Sequence, residues 1–539
     1  MLPPKLKKII TNIAAKTQVK HVIAVLCVQT VITICYATPN ISGIPKGIAE
    51  EYFSGGRNGT VFNTSSRCME MPAPAVGADA KLSEQFAEGE AIFEADFVTD
   101  PKAPFGGLGP VYVNSSCRNC HPNYGRARRV EKYTEQFGNG YTTFVHTPDG
   151  KLVDGYMFML QTKAVPPFEP PAKGVNLKWK KFVDEYNNTY PDGTPYNQGT
   201  SREGELIYPE ADLIEPLLPL PDNYRVSIEA TIGLYGTGLL DAIDDADIIA
   251  EYERQQAMPG PVKGQHGPWI TEPYDGKKHL GKFAWHNTRA TLRNGPGFNG
   301  IWNVANITRK DRPKLFTSEL WVKKQAELGH NISELTSHQP VELSEEELQN
   351  LVVWFSGLAV PAARNLNDPV VIRGRELFNQ ASCTDCHHPS WTTGKSDIIP
   401  GYENQKIWPY TDLLMHDMGK ANCTACHQSE TIVTPTYDVP SLEEIGPLTD
   451  ELIQRRAKRN HGVKNMNHGV RKTFRTPPLW ARGLMKTAVD HTDMWHDLRA
   501  RSFEEVILWH YGEALNAREA FRNMSKSDRE ALIQFLKSI

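Results

Sequence analysis

The sequence predicts a mainly α protein: two helical modules of one plan, with long loops and a few β-hairpins. Two observations carry that prediction. An apolar-striped helix, a Cys-x-x-Cys-His pentapeptide and a closing amphipathic helix follow one another twice along the 539 residues. The opening helices also share a register, Gly89-Glu-Ala-Ile-Phe93 against Gly374-Arg-Glu-Leu-Phe378.

At the N-terminus, Lys5 to Lys20 form a positive region, Val22 to Ile34 an apolar one and Cys35-Tyr36-Ala37 a small-residue end. This reads as a signal peptide over residues 1–37, which implies export to the periplasm and no stable membrane insertion after cleavage. Retention as an N-terminal anchor is the other reading, although the apolar run is shorter than the roughly 20 residues of a spanning helix. The formal charge of −4 becomes more negative without those lysines. A mildly acidic surface disfavours nucleic acid and suits a small redox protein as partner.

Residues 38–80 are rich in Gly, Pro, Ser and Asn and predict an extended surface arm. A helix from Leu82 places Phe86, Gly89, Ile92, Phe93 and Phe97 at helical spacing ahead of the first pentapeptide, Cys117 to His121. Tyr141 to His146 and Leu152 to Gln161 read as strands around the turn Pro148-Asp149-Gly150, and Arg225 to Ile232 as another strand. The stretch from 165 to 340 is otherwise read as loops. Ser344 with Glu347 opens a helix over Glu345 to Leu358, and Ser525 opens the last one, Lys526 to Ser538. The repeat divides the chain into a signal peptide (1–37), an N-terminal module (38–365) and a C-terminal module (366–539).

Two thiols three residues apart can form thioethers to the vinyl groups of one haem, and the histidine that follows is placed to ligate its iron. The sequence therefore predicts haem c on Cys117, Cys120 and His121, and on Cys383, Cys386 and His387. A third set, Cys423, Cys426 and His427, sits in a polar insertion at about 420–472. Haem is again the reading there; a zinc site would need further ligands at suitable spacing. Cys68 is left over and reads as a buried, inert thiol.

The second module resembles the bacterial di-haem cytochrome c peroxidase superfamily, in its di-haem oxidoreductase (thiol oxidoreductase-like) branch. RGRELF (373–378), CTDCHHP (383–389), PYTDLLMHDMG (409–419), FRTPPLW (474–480), HDLRA (496–500) and EEVILWHYGEA (504–514) carry the match. The first module is similar to that branch at 107–126 and 233–243. The resemblance implies two facing modules of class I cytochrome c type, His121 and His387 as proximal ligands, and an oxidoreductase that passes electrons between haems to peroxide. The alternative is a non-catalytic electron-transfer cytochrome.

Where the peroxidases place a distal methionine, the matching position is His510, either an iron ligand or a satisfied core histidine. His416 and Met418 are rivals for it. His146, Met157 and Met159 are candidates opposite His121, and His461, Met466 and His468 at the third site. Asp241 and Asp497 are the acidic residues embedded in motifs; Trp391, Trp480 and Trp509 could relay electrons. The peroxidases commonly hold calcium, for which no carboxylate cluster stands out here.

Overall fold

The computed structural model describes residues 49–132, 140–272, 274–293, 296–310, 312–336, 341–422 and 472–539, all within one unit, Ala49–Ile539. The signal-peptide expectation, the third pentapeptide with Cys423, Cys426 and His427, and His461, Met466 and His468 lie outside these residues. No helix among the described residues is long and apolar enough to cross a membrane.

Helix α1 (Ala80–Glu94) begins at Asp79, whose carboxylate accepts from the amides of Lys81 and Leu82, and buries Phe86, Gly89, Ile92 and Phe93. Its partner is α2 (Glu345–Gly357), opened by the Ser344–Glu347 capping box. The two helices cross at Gly89, where a Cβ would stand 2.1 Å from the Asn350 carbonyl oxygen. Only glycine permits that approach. It lets Phe93 stack on Trp354 with ring centres 4.1 Å apart.

The same construction recurs. Helix α3 (Pro369–Gln380), capped by Asp368, crosses the C-terminal helix at Gly374, whose Cβ would lie 2.0 Å from the Ala531 carbonyl oxygen. A short helix, α4 (Phe503–Leu508), is capped by Ser502, and α5 (Lys526–Ser538) by Ser525. Phe378 meets Phe535 at 5.4 Å beneath the crossing.

The mainly α expectation fails. Helix makes up 32% and strand 17%, with many of the helices short. The strands lie largely where the sequence reads as loop. Strand β1 (Tyr141–His146) pairs not with its neighbour but with a strand far along the chain. After the Thr147–Lys151 turn only the His146↔Leu152 bridge forms, and positive φ at Gly155 and Met157 ends any extended run.

Strands β2 (Ala172–Phe182) and β3 (Leu206–Pro216) form an eleven-residue antiparallel hairpin, and β4 (Arg225–Ala230) is the partner of β1. In β2, Val175 and Leu177 turn inward while Lys178 and Lys180 face out. Each sheet among the described residues has two strands. The arm expected on the surface is partly core: Thr60-Val61 pairs in parallel with Val360-Pro361, and Phe53, Met69 and Cys68 are buried.

Candidate functional site

Each described pentapeptide closes a single tight turn. The amides of Cys120 and His121 donate to the Cys117 carbonyl at 3.1 Å, and that of His387 to the Cys383 carbonyl at 2.9 Å. A helical turn brings its first, fourth and fifth residues to one side, so both thiols and the imidazole edge the same space. Cys117, Cys120 and His121 line a cavity of about 310 Å³, and Cys383, Cys386 and His387 one of about 340 Å³. The four thiols form no disulfide.

The imidazoles are prepared alike. Nδ1 of His121 donates to the Ile232 carbonyl at 3.0 Å, that of His387 to Tyr410 at 3.0 Å and that of His510 to Val506 at 2.7 Å. A carbonyl only accepts, so the proton sits on Nδ1 and the lone pair on Nε2, the arrangement that supports a metal ligand. Burial pushes His121 down to about 4, and lowers His387. Burial, then His387, pushes His510 down to about 4 as well. In all three, burial favours the neutral imidazole.

Across the second cavity, the rings of His387 and His510 lie 6.4 Å apart, centre to centre, tilted by 47°. Two metal–imidazole bonds of about 2.0–2.1 Å, with about 1.1 Å from each nitrogen to its ring centre, fill a gap of that size. The spacing of the pair is of the size a bis-imidazole metal site needs, and Nε2 of His510 makes no hydrogen bond among the described residues. His510 follows the end of α4, its amide bonded to the Ile507 carbonyl at 3.0 Å.

The rival His416 is committed elsewhere. Its Nδ1 meets Glu513 and its Nε2 meets Asp412, both at 2.7 Å. Burial opposes its charge, but Cys386 and then Asp412 more than offset that, and the group is raised well above its usual range. Met418 lines the second cavity. His388 points away, 3.7 Å from Glu251.

Among the described residues lining the first cavity, no second imidazole has a nitrogen to spare. His146, a sequence candidate, has Nδ1 on the Thr147 carbonyl at 2.8 Å and Nε2 on the Ser227 hydroxyl at 2.5 Å, and it stands outside the cavity wall. Met157 is also outside the wall; Met159 is in it. The wall instead carries Glu229 and His286, joined at 2.6 Å and both buried. Nδ1 of His286 donates to the Thr473 carbonyl at 2.9 Å. The short Nε2···Oε1 contact then shares one further proton, so the pair stores a proton at the cavity wall. Asn303, 4% exposed, also faces this space, its Oδ1 without a partner.

Neither acidic candidate from the sequence lines either of these two cavities. Asp241 accepts from the Leu292 amide at 3.4 Å, and burial, offset in part by Lys282, raises it to about 6. Asp497 is clamped by Arg499 at 2.7 Å. Trp285 stands in the walls of both cavities, its indole donating to the Ala230 carbonyl at 2.7 Å. Trp391, Trp480 and Trp509 line neither. Glu229, His286 and Trp285 escape sequence reasoning because no motif spacing links them to a pentapeptide.

A family model described as "Di-haem oxidoreductase, putative peroxidase" matches residues 49–134, 217–422 and 420–539. No curated protein matches the chain. Among solved structures, Kuenenia stuttgartiensis hydrazine synthase under pressurised xenon is similar over 57% of this chain and 87% of its own, at 15% identity and a TM-score of 0.22.

Proposed function

The chain belongs to the di-haem oxidoreductase family, and from that premise we propose that it reduces peroxide in the periplasm with electrons drawn from a small redox protein. The observation that carries the reading is the difference between the cavities. Across from His387 stands a second imidazole at ligand distance; across the first cavity stand a proton-sharing Glu229–His286 pair and the orphaned Asn303 amide.

Under this reading, Cys117, Cys120 and His121 hold one haem c in the N-terminal module (38–365), and Cys383, Cys386, His387 and His510 hold a second in the C-terminal module (366–539). Cys423, Cys426 and His427 hold a third, and residues 1–37 direct export. When bound, the haems would supply one-electron transfer and Lewis-acid chemistry toward a peroxide.

The protein's own work is positioning and proton handling. Reducing peroxide to two waters consumes two electrons and two protons. Glu229 takes the proton of the near oxygen and returns it to the departing one, with His286 fixing its orientation. The Asn303 amide holds the peroxide against that pair. Trp285, common to both walls, shortens the path between cavities.

Met159 in the first wall favours one other reading, an electron wire in which both irons are closed. Oxidation of a reduced small cytochrome on adding hydrogen peroxide separates the two. The proposal expects turnover in the wild type and its loss in Glu229→Gln; no turnover with all haems attached would refute it.

A further inference from the structure

Three arginines face the second cavity without an anion. Arg126, Arg475 and Arg482 are 3%, 2% and 6% exposed, and all three line it. The oxygen partners of all three are backbone carbonyls: Arg126 reaches that of Trp495 at 2.5 Å, Arg475 that of Ala284 at 3.1 Å and Arg482 that of Pro478 at 3.1 Å. Arg126 Nε and Arg475 Nη1 are buried with no partner. Among the described residues, no carboxylate lies within ion-pair distance of any of them. Burial and then Arg482 push Arg126 down to about 9 and Arg475 to about 10.

Burying like charges together without compensation is among the costlier arrangements a fold can make. These three guanidiniums are placed to receive an anion from within the cavity. Of the other charged groups in its wall, Glu513 is taken by His416 and Arg518 by Asp184 and Glu185, Asp385 lies beside Cys386, and Phe378, Phe503, Leu532 and Leu536 supply a broad apolar surface. An occupant that is broad and apolar and carries two carboxylates matches both halves of this lining. A guanidinium is the side chain best shaped to take a carboxylate through two parallel N–H bonds.

We propose that Arg126, Arg475 and Arg482 form the carboxylate-binding end of the second cavity and hold the propionates of the haem seated between His387 and His510. This rests on the reading of that cavity given above. It adds that the site is shared between the modules: Arg475 and Arg482 belong to the second, whereas Arg126 lies five residues beyond His121 in the first. Filling the second cavity thereby ties the first pentapeptide loop to the second module.

The test uses the haem-loaded full chain with Arg126→Gln, Arg475→Gln and the charge-preserving Arg126→Lys. Peptide mass reports whether Cys383 and Cys386 still carry haem, and spectroelectrochemistry reports the potential of the low-spin haem. Removing a positive charge beside a carboxylate favours the oxidised form. Arg126→Gln is expected to shift the reduction equilibrium about tenfold that way, about 59 mV for one electron, with Arg126→Lys near the wild type.

Haem retained at an unchanged potential in both glutamine variants would overturn the assignment. So would a wild-type potential that moves by the same amount on adding inorganic phosphate, since the arginines would then hold a free anion. A wild-type peptide with no haem mass would instead overturn the reading of the cavity, and this assignment with it.

Discussion

The two cavities begin from the same parts and end differently. Each has an opening helix crossing a closing helix at a glycine, a tight Cys-x-x-Cys-His turn, and an imidazole whose Nδ1 is tied to a carbonyl. What differs is the opposite wall. In the second, α4 ends so that His510 faces His387 at 6.4 Å. In the first, β4 and the loop through Trp285 bring up Glu229 and His286, two titratable groups 2.6 Å apart. On the proposed function, the shared parts would hold a haem and the opposite wall would decide what it can do.

The comparison breaks most visibly at Glu229. With Glu229→Gln, peroxide turnover should fall by about 10²- to 10⁴-fold, the usual worth of a positioned acid–base group, while haem content and the low-spin spectrum stay unchanged. A variant that keeps its turnover would remove the proton-handling role from the first wall. His510→Ala makes the second cavity resemble the first. Its low-spin signal should convert to high-spin, and peroxide should then perturb a haem it left alone before.

The glycine crossings sharpen the shared half of the comparison. Gly89→Ala and Gly374→Ala each push a methyl into a carbonyl oxygen, at 2.1 and 2.0 Å. Each should lower stability by at least about 1–3 kcal/mol in denaturant titration. A neutral result at one crossing would show that the modules are not built alike.

The smallest effect expected is one of pH. His416 is raised well above 6.5, so its contribution to stability is whole below about 6.5 and is lost as pH rises through its folded value. Asp412 and Glu513 are held below 3.8 and 4.5, burial opposing and His416 prevailing, so theirs is whole above those values and is lost as pH falls through the depressed ones. A thioether at Cys386 removes that sulfur's charge but leaves both carboxylates. His416→Gln should flatten both flanks of stability against pH; an unchanged profile would show that the cluster does not couple to folding.

What could be read from the sequence follows from locality. The capping box at Ser344, the span Lys526–Ser538 and strand Tyr141–His146 emerge as expected because caps and periodicity are local signals. The β2–β3 hairpin stayed hidden because Lys178, Lys180 and Lys181 dilute its alternation and a long connection separates its strands. The partner of β1 is likewise remote, so Leu152–Gln161 was the wrong neighbour. At the sites, motif and helical face were enough to single out the two described pentapeptides and His510, which the structure places at the cavity walls. Glu229, His286, Trp285 and the arginines were not, since only tertiary structure brings them to the cavities.

On the proposed function, the second of the two described cavities is closed to peroxide and the first is open to it. Electron paramagnetic resonance of the haem-loaded protein, before and after adding peroxide, tests that most directly. The prediction is a low-spin bis-imidazole signal that peroxide leaves unchanged, beside a high-spin signal that peroxide alters. Low-spin signals alone, none of them responsive to peroxide, would contradict it.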